Sequence, residues 1–113
     1  MAEKCSGVEA TLDIIAGKWK PVILFHLLTN ETLRFGELRR ALPNITQKML
    51  TSQLRELENK GIIERKVYPQ VPPKVEYSIT EHGHSLVPIL QLMDEWGDTH
   101  LKQTSPEKIA TNK

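Results

Sequence analysis

The chain has 113 residues, 39% of them hydrophobic, with fifteen Lys or Arg against fourteen Asp or Glu for a net charge of +1. It is long enough to bury one core and too short for two, and it is neither polar enough for disorder nor uniformly basic. A single cysteine, Cys5, excludes an internal disulfide framework, no apolar run approaches the ~20 residues of a membrane span, and "MAEKCSGVEA" lacks the apolar stretch of a secretory signal, so a cytoplasmic protein with no membrane partner is expected.

Ser6 and Glu9 form an S-x-x-E pair ahead of Val8, Leu12 and Ile15 at helical spacing, which predicts a first helix over about 7–16 closed by Gly17. "GKWKPVILFHLLTN" reads as a second helix with Pro21 in its first turn, buried along its apolar run from Val22 to Leu28. "NETLRFGELRRALPN" gives a turn, a very short extended piece at Leu33 to Phe35, and a two-turn helix through Leu38 and Leu42 that Pro43 ends.

"NITQKMLTSQLRELENKGIIER" predicts the most strongly marked helix. Thr46 is a good N-cap, Ile45 and Leu50 sit at hydrophobic-staple positions, Leu50, Leu54 and Leu57 form the inward stripe, and Gly61 stops it. Its charge order is unusual. A helix start favours Asp or Glu, because its free N–H groups carry partial positive charge. Here Thr46, Gln47, Lys48, Thr51, Ser52 and Arg55 come first, and Glu56 and Glu58 come late.

"IIERKVYPQVPPKVEYSIT" is rich in Val, Ile and Tyr around a Pro69–Pro73 loop and reads as a two-stranded hairpin. Thr80 is placed to cap a long final helix through Leu86, Leu90, Met93 and Trp96 to about Leu101, with Pro88 forcing a kink or two abutting helices. One domain over residues 1–103 and a polar, fraying tail over 104–113 follow. Charge is uneven along the chain. Nine basic residues against four acidic ones between Arg34 and Lys74 leave +5 there and −4 elsewhere, as when one face meets a polyanion.

Helices, a tight-turn helix pair, a hairpin and a last helix make a mainly α architecture with a small β-hairpin wing (α+β), the winged helix-turn-helix order. In that arrangement the second helix of the pair enters the major groove N-terminal end first. Acid at its start would face DNA, which accounts for the delayed glutamates. Gln pairs with adenine, Ser and Thr serve several base edges, and Lys or Arg read guanine or hold phosphate.

The blocks "GKWKPVIL", "LRFGELRRALPNITQKMLTSQLRELENKGIIER", "VYPQVPPKVEYSIT" and "EHGHSL", in this order from Cys5 to about Trp96, resemble the HxlR-type winged helix-turn-helix regulators of bacteria. The resemblance implies a homodimeric DNA-binding regulator of transcription; sequence-specific binding to double-stranded DNA, with a repressor as the expected sign, follows as the reading, and two identical reading heads imply an inverted repeat. The resemblance matches Thr46, Gln47, Lys48, Thr51 and Ser52 to the start of the recognition helix, which Arg55 extends, and Lys74 to the basic residue of the wing. Arg39 and Arg40, and Lys18 and Lys20 beside Trp19, are weaker phosphate candidates, and solvated charge serves equally for Arg39 and Arg40. Trp19 reads as a core or interface anchor. The implied dimer interface uses the terminal helices, with Leu12, Ile15, Leu86, Leu90, Met93 and Trp96 as its apolar seam; burial of some of these within one chain is the competing reading.

Cys5 matches an N-terminal cysteine through which some relatives sense electrophiles or oxidants. A thiol near a helix start and beside Lys4 can have a lowered pKa, while burial at the seam would make it inert. Relatives that bridge two different cysteines need a second one, absent here. Catalysis would have to draw on His26, His82, His84 and His100, which supply no nucleophile, base and orienter together, so no enzyme and no cofactor are expected. The two His of "HGH" point to different sides of a helix, and no metal site is expected. A metal- or small-molecule-responsive regulator, or a winged-helix module binding protein, is the alternative; salt-dependent DNA binding discriminates them.

Overall fold

In the computed structural model, which describes residues 6–104, the elements run α1 (Ser6–Ile15), α2 (Trp19–Asn30), β1 (Thr32–Arg34), α3 (Phe35–Ala41), α4 (Gln47–Asn59), β2 (Ile63–Tyr68), β3 (Lys74–Ile79), a 3-10 turn (Gly83–Leu86) and α5 (Val87–Thr104). Ser6 is already helical, so the residue ahead of α1 is Cys5. Cys5, and the expected tail beyond Thr104, lie outside the described residues.

The apolar spacing builds one core. Ile23, Leu24 and Leu27 of α2 meet Leu38 of α3 and Leu50, Leu54 and Leu57 of α4, all at most 1% exposed. Val22 lies on the far side of α2 and is exposed, so the apolar run buries one face rather than the whole helix. β2 and β3 pair antiparallel from Ile63↔Ile79 to Tyr68↔Lys74. The expected two-stranded hairpin is completed by β1, which pairs Thr32↔Ser78 to Arg34↔Glu76 and gives the order β1-β3-β2. Three residues are too few for alternation to reveal a strand, yet they satisfy the open edge of β3.

The last helix also differs. Thr80 caps the 3-10 turn, its Oγ1 accepting from the Gly83 N–H at 2.9 Å and donating to the Gly61 carbonyl at 2.6 Å. α5 then starts at Val87, so Pro88 falls in its first turn, where a missing N–H costs nothing. Of the six residues expected at a dimer seam, Ile15, Leu86 and Leu90 are in this chain's own core, at 7, 8 and 3% exposure. That corrects half of the set: α5 carries two apolar stripes, and Leu90 belongs to the inward one, with Leu86 of the preceding 3-10 turn buried as well. Leu12, Met93 and Trp96 are exposed, alongside Val8, Ile89, Leu92 and Leu101.

Candidate nucleic-acid interface

The start of α4 is built by local chemistry. Thr46 Oγ1 accepts from the Met49 N–H at 3.0 Å, and Ile45 and Leu50 are both buried beneath it. With the leucines facing inward, the helical period turns Gln47, Lys48, Thr51, Ser52 and Arg55 to the opposite side, where they line one open surface concavity. No acid lies in the first turn.

The late glutamates pair with basic side chains of the same chain. Glu56 Oε1 accepts from Lys20 Nζ at 2.5 Å, which fastens α4 to α2. That hydrogen bond, then the ammonium charge, holds the Glu56 carboxyl below its ordinary pKa. Lys20 is only 12% exposed, and its ammonium is already engaged by Glu56. Lys60, at the C-cap of α4, makes the corresponding tie to Asp13 of α1 at 2.5 Å and likewise lowers that carboxyl's pKa. Lys18 lies 4.7 Å from the centre of the Trp19 ring, and Trp19 packs against the core. Arg39 and Arg40 are exposed on α3.

Strand register sorts the wing into two faces, since neighbouring side chains alternate. Tyr68, Lys74, Lys66 and Glu76 share one. Glu76 accepts from the Tyr68 hydroxyl at 3.0 Å and meets Lys74 Nζ at 3.3 Å, while Lys74 and Lys66 lie 4.8 and 5.1 Å from the Tyr68 ring centre. The Tyr68 hydrogen bond, with Lys74, keeps the Glu76 carboxyl below its usual range. Lys74 thus has partners within the wing. Arg65 and Tyr77, paired across the strands, occupy the other face and meet α4 at a small polar cavity of about 160 Å³ shared with Thr51, Leu54, Arg55 and Glu58. Burial raises the Tyr77 pKa. Neither residue stood out in the sequence; the signal was their two-residue spacing from buried Ile63 and Ile79, which puts them on the same face of the strands.

The histidines scatter. His26 lines an apolar hollow with Val22, Phe25, Leu90, Met93 and Asp94, His100 stacks on Trp96 with ring centres 5.0 Å apart, and His82 and His84 flank Gly83 at the surface. Among the described residues, no three His, Cys, Asp or Glu side chains gather as a metal would require. No described helix is long and apolar enough to cross a membrane.

This arrangement has known counterparts. The HTH-type transcriptional regulator YdeP of Bacillus subtilis (strain 168) is 57% identical over 93 residues, covering 82% of this chain and 72% of the relative. The redox regulator HypR, solved in its oxidized form, superposes with a TM-score of 0.79 at 57% identity, over 82% of this chain and 95% of that one. Diamide-treated YodB from B. subtilis gives 0.69 at 37% identity, over 84 and 93%. These relatives are regulators, not enzymes. The family described as HxlR-like helix-turn-helix matches residues 14–105, from the end of α1 through α5, and the chain accordingly belongs to the HxlR-like helix-turn-helix family of transcriptional regulators.

Proposed function

We propose that the protein is a repressor that binds an inverted-repeat operator as a symmetric homodimer, reading each half-site with the first turns of α4. One observation carries this reading: Gln47, Lys48, Thr51, Ser52 and Arg55 share an open face free of acid, while the glutamates of the same helix are turned to Lys20 and Arg65. The apolar stripe on α5 and the exposed Val8 and Leu12 of α1 supply a self-complementary surface for the second copy. Selection of bound sites from random duplexes should return an inverted repeat with half-site centres ~34–36 Å apart, and affinity should fall steeply with salt. Gln47→Ala should cost ~1–3 kcal/mol on that site and leave nonspecific binding nearly intact. Salt-independent binding, or no selected sequence, would overturn the reading.

Cys5 is the proposed sensor of thiol-reactive electrophiles or oxidants, an idea supported by relatives described as a redox regulator and solved after diamide treatment. Diamide should release DNA from the wild type and not from Cys5→Ser. With one cysteine per chain, the product is either a bridge between two copies of Cys5, which needs Cα atoms within ~7 Å, or an adduct with a small thiol. A non-reducing gel and mass spectrometry separate the two. An unmodified thiol after treatment would remove Cys5 from the mechanism.

A further inference from the structure

The cavity between α4 and the wing has one wall from Thr51, Leu54, Arg55 and Glu58 and the other from Arg65 and Tyr77. Thr51 and Arg55 also line the concavity on the exposed face of α4, so the two hollows share a rim. Two guanidinium groups against one carboxylate leave the cavity net positive. Its donors are largely uncommitted. Among the described residues the Tyr77 hydroxyl makes no hydrogen bond and Arg55 no ion pair. Arg65 meets Glu58 only loosely, Nε to Oε2 at 3.9 Å, too long for a hydrogen bond.

We propose that this cavity seats one DNA backbone phosphate, held by Arg55, Arg65 and Tyr77. The inference rests on α4 being the DNA-reading helix. When that helix lies in the major groove and the wing lies beside the adjoining groove, the strand dividing the grooves must cross the junction of helix and wing, which the cavity's lining residues form. Guanidinium groups suit phosphate because their planar fork can donate two parallel hydrogen bonds, and a tyrosine hydroxyl is an ordinary donor to phosphate oxygen. Glu58 is the competing anion. It is the loose ion-pair partner of Arg65 in the free protein and would compete with the phosphate for it, so its carboxylate opposes binding.

The test uses the full chain and the selected operator, with single phosphates replaced one at a time by neutral methylphosphonate. Affinity is measured against salt for wild type, Arg65→Gln, Tyr77→Phe and Glu58→Gln, with thermal melting to confirm folding. One replacement should weaken the wild type and weaken Arg65→Gln clearly less, because Arg55 and Tyr77 still meet that phosphate. That variant should also flatten the slope of log affinity against log salt by about 0.9, on operator and random duplex alike. Tyr77→Phe, which keeps the ring in the core, should weaken binding severalfold with no change in sequence preference, and Glu58→Gln should tighten it. Operator binding with no replacement whose effect Arg65→Gln reduces, or weaker binding by a folded Glu58→Gln, overturns this inference alone. A wild type that binds no duplex overturns the proposed function and this inference with it.

Discussion

A carboxylate that accepts a hydrogen bond from an ammonium ionises more easily in the folded chain than in the unfolded one. Glu56 with Lys20 and Asp13 with Lys60 are both of this kind. Because the folded pKa is depressed, the stabilisation is fully present above the ordinary values, 4.5 for Glu56 and 3.8 for Asp13, and is lost as pH falls through the lowered ones. Glu56→Gln should therefore flatten the fall of the melting temperature below pH 4.5. Both carboxylates are in contact with solvent, so the difference should shrink at high salt. An unchanged acid limb in low salt would show that the pair contributes nothing. The late position of Glu56 was legible in the sequence, but its partner was not. Lys20 lies 36 positions away, and no local pattern links residues at that separation.

Among the elements, those with a strong local signature were readable. Thr46, the Ile45–Leu50 staple, the leucine stripe and Gly61, with a φ of 76°, mark α4 at both ends. The 3-10 turn was not, and of β1 the sequence offered only an extended piece at Leu33 to Phe35 without its pairing, because each is defined by what it meets elsewhere in the chain. Gly83 shows the difference. A Cβ there would lie 2.1 Å from the Ile62 carbonyl oxygen and 2.7 Å from Ile79 Cγ2, so the turn can pack over the start of β2 only with glycine at this position. Gly83→Ala should destabilise the protein by about 1–3 kcal/mol, the usual range for forcing atoms into a filled site, seen as a lower denaturant midpoint. A midpoint equal to wild type would mean that the turn shifts at no cost.

For the molecule as a whole, helical periodicity announced that the terminal helices are apolar without saying which chain each residue serves. Ile15, Leu86 and Leu90 went to the core of this chain, and the outer stripe of α5 runs through Ile89, Leu92, Met93 and Trp96. Trp96 is 70% exposed and stacked on His100, an arrangement that leaves a large aromatic surface open to a partner. Trp96→Asp should weaken self-association at least ~30-fold, as loss of an interface anchor worth ~2 kcal/mol does, and should lower operator affinity with it. Sedimentation velocity across a dilution series checks this, and a variant sedimenting like the wild type would remove Trp96 from the seam.

The strand order also governs how copies fail to meet. β2 pairs only with β3, which leaves one side of a six-residue strand with unspent N–H and C=O groups, the usual starting point for strand addition and aggregation. Glu64, Arg65 and Lys66 stand exposed in succession there, and Pro69 follows at once. A second copy aligning its own β2 in parallel register against this edge would bring like charges together and meet a residue that cannot donate. Arg65→Val with Lys66→Val should accordingly scatter more light on mild heating than the wild type, even with the helical core intact. The wing can therefore stay open to solvent without seeding fibres.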